Sequence, residues 1–583
     1  AAVNLFSSLG KSEELYLYAQ EDGELMYLAD LKQDSETMQL TDKVGGTVWI
    51  SPDGKYVYFF EGADQDYSSY ADLYCIEAAN LGKDGQRPQR VSSKVSTYQY
   101  TTLENGGIVF MKESGSGEDL YCYDGEHDYK LADEVYSYTL DETEKTVYYT
   151  QQDETDSTFT IFRMPLQEDA EAEELLTGAA SIYSEMDAGV LLYGEGEPGQ
   201  DEWREMPVYD VYSKKPGETE QLLVEDAWSV NNVKVGGGEL SFTYLTTQTT
   251  EHTLYDFVLD SSAASDATAQ EPKYEDFFTG EDEWGWKKYD TEAYYLAQEA
   301  WSQVERRNYI REQLKSTPYE VTSYTLHRYE NGIDTVLAEG LDDIPTWGGD
   351  SGIYIYQKHS QEVSPVVELA QLYYYDDIYD YIYEEDAVTY QNVNGVESEL
   401  ELEEGSNVWS IYPAGEGHVA LMIGGETSEI VSCTVENNAL VLGDVLGSDD
   451  FSICYTGSQD ALYYFADVSG DYSYGNLTRY QDGKTTVLAK DAGAVFQLED
   501  GTIFKLEDRN LENGEGSLYQ VKDEKEVRID DDVSDVVFLP NARMLYISDG
   551  DLYLWEKEES VRLARDVTGI WASDSLYYDS YYL

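Results

Sequence analysis

The sequence predicts an all-β chain, a β-propeller of about eleven four-stranded, blade-like units with one helical insertion. Three observations predict it. A boundary pattern recurs, in which a strand runs into Asp, Gly or Lys and a small or β-branched residue then opens the next strand. Short stretches of period-two alternation fill the intervals, and turn dipeptides such as Asn105-Gly106, Asp124-Gly125 and Asp549-Gly550 divide them. Most intervals run between 34 and 51 residues, the length of a four-stranded propeller blade.

The boundaries fall at Val44, Val95, Val135, Ala179, Ala227, Leu341, Val408, Leu446, Ala492, Val533 and Val567. Within 96–135 four strands read off directly as YQYTTL, GIVFM, DLYCYDG and YKLADEV, and 534–567 reads the same way. The third strand often opens with a polar residue, Leu and Tyr, as in Asp72-Leu73-Tyr74, Asp119-Leu120-Tyr121, Ser517-Leu518-Tyr519 and Asp551-Leu552-Tyr553. Residues 1–45 and 568–583 supply complementary strands and are expected to share a closing blade, which removes a free sheet edge. Blades are expected over 46–261 and 321–567, with a helical insertion at 262–320 inside one blade and a second insertion at 362–386. Eleven units exceed the usual content of a single ring, so the count slightly favours two propellers over one large ring.

The segment ISPDGKYVYFF, Ile50 to Phe60, carries a family resemblance. Ser51-Pro52-Asp53-Gly54-Lys55 between two strands resembles the first hairpin of TolB-like propeller repeats and of prolyl-oligopeptidase-type propellers. Pro52 presets φ, and Gly54 supplies the positive φ of a tight turn. LENGGIVF and LEDGTIFKL keep the spacing without the letters. The resemblance implies a fold and transfers no functional residue. The chain is also similar to divergent, largely uncharacterised extracytoplasmic propellers of Gram-positive bacteria.

Two intervals are too long for a blade. In the first, EDEWGWKKYDTEAYYLAQEAWSQVERRNYIREQLKS reads as a helix capped by Asp290 or Thr291, with Pro318 just past its end. Ala293, Leu296, Ala297, Ala300, Trp301, Val304 and Leu314 fall largely on one face, predicting a packed side. Lys287, Lys288, Arg306, Arg307, Arg311 and Lys315 concentrate there, either as a lid or partner-binding element or as cations complementing acidic neighbouring blades. The second interval holds SPVVELAQLYYYDDIYDYIYEED, where Ser364 as N-cap and Pro365 at the first position predict another helix start. Its tyrosines, among them Tyr373, Tyr374 and Tyr379, lie among acids that suit stacking on sugars or holding a basic peptide. Ordinary packing between blades is the plainer reading.

The 583 residues carry 37 Lys and Arg against 117 Asp and Glu, a net charge of −80. That excludes a nucleic-acid binder, which needs clustered cations, and disfavours docking on an anionic membrane. The dense apolar alternation argues against the disorder that such charge otherwise brings. No run of eighteen apolar residues occurs. The chain begins AAVNLF, without an initiator Met, and reads as a processed protein or the soluble part of something anchored upstream. Cys75 and Cys122 read as small buried hydrophobes in equivalent strands, and Cys433 and Cys454 could pair. The five histidines are isolated, so no zinc hydrolase pattern exists. Gly349-Asp350-Ser351-Gly352 sits at a first hairpin and reads as a turn, not a nucleophile.

No cofactor is expected; Asp64, Asp66 and Asp72, and Asp530 to Asp532, are hard-oxygen clusters that calcium could use, but solvated acidic loops are the plainer reading of both. Trp49, Trp228, Trp347, Trp409 and Trp571 follow boundaries, where a first strand lines the channel, and contact either a ligand or neighbouring blades. The candidate ligand-binding set is Trp284, Trp286, Arg306, Arg307, Arg311, Tyr373, Tyr374, Tyr379, Trp347 and Trp409. The leading functional expectation is a non-enzymatic, extracytoplasmic propeller, secreted or at the cell surface, that binds a protein, peptide or cell-wall glycan on one face. A carboxylate-based glycoside hydrolase or lyase is one alternative. A sensory or structural ectodomain of a membrane-anchored protein is the other.

Overall fold

The computed structural model describes residues 14–583 apart from 63–68, 116, 142, 154, 197–207, 237, 359–362, 383–387, 404, 455–459 and 523–524. It is built from antiparallel four-stranded meanders that follow one another along the chain. One consists of Val44–Ile50, Tyr56–Glu61, Tyr70–Glu77 and Gln89–Thr102. Gln89–Thr102 breaks register after Val95 and goes on as the first strand of the next meander, with Ile108–Glu113, Glu118–Tyr123 and Asp128–Ala132. Gln221–Gly236 and Lys525–Leu539 are shared between meanders in the same way. Elsewhere each meander is a separate sheet.

The two sequence motifs turn out to be one device. At eight of the eleven boundaries the residue before the new strand takes a left-handed backbone, with φ of 57° at Lys94, 49° at Glu134, 55° at Asp226, 49° at Asp491, 50° at Asp532 and 54° at Asp566. Gly178 and Gly340 fill the same role at 85° and 71°. Asp and Gly recur there because few other residues tolerate that region. The next residue drops into the core: Val95, Val135, Ala179, Ala227, Leu341, Ala492, Val533 and Val567 are all buried.

In four meanders the polar residue that opens a third strand faces this kink and accepts its backbone N–H. Asp72 takes the N–H of Lys94 at 3.3 Å, Asp119 that of Glu134 at 3.1 Å, Asp210 that of Asp226 at 3.1 Å and Asn476 that of Asp491 at 3.2 Å. The Leu that follows is the core residue, and Leu73, Leu120, Leu518 and Leu552 are all buried. The Tyr after it stacks on the residue opposite in the second strand. Phe59–Tyr74, Phe110–Tyr121, Tyr193–Tyr212 and Tyr546–Tyr553 are such pairs, with Tyr149–Phe162 and Phe242–Tyr329 built alike, at 5.0–5.9 Å and 11–19°. Directly opposed aromatic pairs stabilise a sheet, and these six take up eight of the 54 tyrosines. In one meander Lys505 replaces the aromatic, fully buried 5.6 Å from the Tyr519 ring and neutralised by Glu507 and Glu526 at 2.6 Å each.

Hydrophobic clusters form between successive meanders. Tyr58, Phe60 and Leu73 meet Ile108 and Phe110, and the pattern continues down the chain to Phe504 and Leu518 against Phe538 and Met544. The two ends of the chain join it. Tyr16–Gln20, Leu25–Leu28 and Thr37–Thr41 form one sheet with Val567–Ala572. That sheet packs Tyr16 and Leu28 against Val537 and Leu545 on one side, and Leu17 and Leu25 against Val48 and Phe59 on the other. Past Ala572 the chain crosses to another meander, where Tyr578–Tyr582 pairs with Ala494–Leu498.

Several expectations need correction. Ser364 and Pro365 start no helix: Val367–Glu368 is a short strand, followed by a single 3-10 turn at Leu369–Gln371 and a short helix at Ile378–Ile382. The four cysteines are free, so Cys433 and Cys454 do not pair. Trp49 packs between Tyr58 and Tyr100, at 5.6 and 4.6 Å, and donates to Thr102 at 2.8 Å, which is the alternative of contact with neighbouring blades. Trp228 stacks on Tyr324 at 4.9 Å in the same kind of inter-meander core.

Candidate functional site

Both large insertions leave the fold from the same place, the loop between the second and third strands, in two successive meanders. The first is carried outward by a long ribbon, Glu239–Thr253 against Pro318–Glu330, paired without interruption from Ser241↔Glu330 to Thr253↔Pro318. Near the fold the ribbon is packed through Phe242, Leu245, Leu326 and Tyr329. Beyond Thr246 it becomes a threonine-rich, solvent-facing pair of strands, held by cross-strand bonds such as Thr249 to Thr322 at 3.0 Å. β-Branched residues suit a ribbon with no core on either face.

At its end the two insertions fold together into a knob. Leu254, Phe257, Val258, Ile310 and Leu314 of the first share a core with Val367, Leu369, Leu372 and Ile378 of the second. Val258–Leu259 and Val367–Glu368 pair in parallel, which explains why the Ser364-Pro365 signal is overridden: tertiary pairing of Val367 outweighs a local helix start.

The long helix Thr291–Ser316 is capped by Asp290, whose carboxylate accepts from the Ala293 N–H at 3.0 Å. Its C-terminal part anchors it through Ile310, Arg311 and Leu314. Arg311 donates to both oxygens of Asp260, at 2.5 and 3.1 Å, and to Asp266 at 3.1 Å. Arg307 forks onto Asp266 at 2.8 and 2.5 Å. These bonds hold the Asp266 carboxyl down at about 2, with Arg307 the largest cause, and hold Asp260 below the ordinary range through Arg311. Arg307 and Arg311 are therefore structural. Both pair with acids of their own insertion, Asp260 and Asp266.

The other end of the helix behaves differently. Residues 267–309 form a 3-10 turn, the hairpin Phe278–Glu281 with Lys287–Tyr289, and most of the helix, yet none of these residues is buried. Leu296, predicted to pack, is exposed. Tyr274, Tyr289 and Tyr294 pack on one another at 4.4 and 5.0 Å. Trp284 and Trp286 project from the hairpin tip at 78 % and 74 % exposure, the most exposed large hydrophobic side chains among the described residues. Asp282 fixes that tip by accepting from both Trp N–H groups at 2.9 and 2.8 Å. On the second insertion Tyr373 and Tyr374 are exposed, with the Arg306 guanidinium 5.0 Å from the Tyr373 ring.

The fold thus brings Trp284, Trp286, Arg306, Tyr373 and Tyr374 onto one knob and seats Tyr379 beside its core. It leaves Trp347 and Trp409 elsewhere. Trp347 packs in an inter-meander core, and Trp409, though exposed, lies across the space a Cβ on Gly424 would need. Asp64 and Asp66 lie outside the described residues, and Asp72 is engaged by the Lys94 N–H and by Arg90 at 3.2 Å. Sequence reasoning missed Tyr274, Tyr295 and Tyr309, which the same insertion exposes. A cleft of about 420 Å³ where ribbon meets knob is lined by Glu251, His252, Thr253, Asp256, Pro318, Tyr319 and Glu320. Its hydroxyl groups belong to Thr253 and Tyr319, and that of Thr253 donates to Asp256 at 3.2 Å as part of the capping box of the Leu254–Phe257 turn.

The sheets and their shared cores make this chain a β-propeller bearing a composite knob. No family model and no curated protein matches its sequence. Among solved structures it is similar to a prolyl endopeptidase, at 10 % identity over 70 % of this chain and 54 % of that one, with a TM-score of 0.28. The chain thus spans about half the length of that enzyme. It is similar to the propeller domain of the trilobed protease from Pyrococcus furiosus, at 11 % identity over 67 % of this chain and 99 % of that one, TM-score 0.22. A TolB protein from Agrobacterium tumefaciens follows, at 13 % identity over 37 % and 83 %, TM-score 0.21. Likenesses this loose carry no argument about activity.

Proposed function

We propose that the protein is a non-enzymatic capture module, a single closed ring of eleven blades that presents its composite knob to a partner. Eleven four-stranded units can be counted when the three shared strands are divided between neighbours. Each unit shares a hydrophobic cluster with the next, and the last shares one with the first, which favours one ring over the two that spacing alone slightly preferred. The proposed setting is extracytoplasmic, at the cell envelope, consistent with an acidic chain bearing exposed aromatics.

One observation carries the binding role. An ordered hairpin and most of a helix, residues 267–309, bury no side chain of their own. Helices gain most of their stability from a packed face, and a large exposed apolar patch marks an interaction site. The ribbon holds this surface away from the ring.

The test is capture from the host's envelope, with protein and glycan fractions kept apart, by the intact chain and by a Trp284→Ala/Trp286→Ala variant. A partner that survives moderate salt and is lost with the two tryptophans supports the module. Retention that ignores the substitution, or washes away with salt, overturns it. Image averages of the ring viewed along its axis count the blades directly, and two separate rings would refute the closed-ring reading.

A further inference from the structure

We propose that the occupant of the knob is a basic, arginine-led segment of a partner protein, held by cation–π and carboxylate contacts on the Trp284–Trp286 tip. The inference rests on the capture reading above and names the chemistry of what is captured. The aromatic surface is interleaved with acids. Residues 271–299 hold nine carboxylates against three lysines. Asp282 and Asp290 are occupied by the turn and the helix cap. Among the described residues, Glu275, Glu281, Glu283, Glu292 and Glu299 have no ion-pair partner, and all five are exposed. Exposed rings alternating with unpaired carboxylates match a guanidinium, which stacks on an aromatic face while donating in its own plane.

The knob already uses this chemistry internally, with Arg306 5.0 Å from the Tyr373 ring and Lys315 4.7 Å from that of Tyr255. Charge decides against the other occupants. A chain at −80 repels a second copy of itself, and it repels anionic lipid and phosphate-bearing glycans equally. The same field raises the encounter rate of a cationic segment.

The probe is a short fluorescein-labelled peptide alternating Arg and Ser, compared with its citrulline counterpart, which keeps the shape and loses the charge. Both are titrated into the full chain at physiological salt, beside a neutral oligosaccharide of N-acetylglucosamine. The Arg peptide should bind, and the citrulline peptide should bind at least tenfold more weakly. Trp284→Ala/Trp286→Ala and Glu281→Gln/Glu283→Gln should each weaken the Arg peptide about tenfold. Trp409→Ala, away from the knob, should leave binding unchanged. Because both tip tryptophans stand in solvent, their removal leaves the fold intact, which an unchanged melting temperature verifies.

Arg-peptide binding that is indifferent to the tryptophans is the diffuse pull of an acidic surface and overturns the proposal. Oligosaccharide binding that depends on Trp284 and Trp286, with no such binding of the Arg peptide, also overturns it while leaving the capture module standing. Loss of neither ligand on tip substitution refutes both.

Discussion

Replacing Arg311 with Met should loosen the knob and leave the ring intact. Arg311 is the shared donor of the buried cluster, reaching Asp260, Asp266, Ser262 and Asn308. Asp260 and Asp266 side chains are 4 % and 1 % exposed, so removing the guanidinium strands Asp260 without a cation in a water-poor site. Breaking one partner out of such a pair costs about 3–5 kcal/mol. An independent measure comes from Asp266, whose carboxyl is held at about 2 against an ordinary 3.8. That difference is worth about 2 kcal/mol, shared between Arg307 and Arg311. A loss of about 3 kcal/mol is therefore expected, or roughly a 150-fold rise in the opening equilibrium. Hydrogen exchange reads it locally: amides around Ile310 and Leu314 should exchange about that much faster, while those of Phe59, Phe110 and Tyr546 keep their protection. Unchanged exchange in the helix, or an equal loss in the ring, would refute the claim that the knob has its own core and its own ionic lock.

Acid should open the knob first. The pKa values of Asp260 and Asp266 are depressed in the fold, so their contribution is complete above about pH 4 and is lost as pH falls toward about 2. Exchange protection of the helix should fall across that window before the ring's does. Asp535 has the opposite sign: burial lifts its carboxyl to about 6, so stability declines as pH rises from about 4 to 6. Asp535→Asn should then raise stability at pH 7 by about 1–2 kcal/mol, read as a higher melting temperature absent at pH 4. Asp119→Ala strands the Glu134 N–H and leaves the Lys130 ammonium, 2.7 Å from the Asp119 carboxylate, with Asp133 alone, and should cost about 1–3 kcal/mol in denaturant unfolding. At the left-handed Lys94, Val should destabilise by about 1–2 kcal/mol and Gly should not, and equal effects would discredit the boundary device.

The meanders were legible because each motif letter has a local task. The Asp of Asp119-Leu120-Tyr121 caps a kink fifteen residues on, the Leu is core, and the Tyr stacks on its neighbour across the strand pair. Such short-range duties leave a repeating imprint. The knob left none, because its partners are distant: Arg311 finds Asp260 across 51 residues, and Val258 finds Val367 in another meander. Local signals even pointed the wrong way. Ser364-Pro365 carries the letters of a helix start, and the apolar spacing from Ala293 to Val304 looks like a core face where the fold only half-buries Ala293, Ala297, Trp301 and Val304 and exposes Leu296. Trp284 and Trp286 were identified from composition, but their placement with Tyr373 could only come from the folded chain.

The sheet that joins the ends sets the order of events in folding. Leu15 and Ser573, bonded at 2.9 Å, are 558 residues apart. On the ribosome, Tyr16–Gln20 emerges before Val567–Ala572 and waits, its edge unsatisfied, while the residues between them are made. Loop-closure entropy grows only logarithmically, so the distance itself costs about 5–6 kcal/mol, small beside a domain's buried area. The cost is in time, because an open strand edge can be claimed by another chain before its own partner arrives. A dense negative charge on every nascent copy keeps those edges apart, so the acidity of this sequence protects the interval between the first strand and the last.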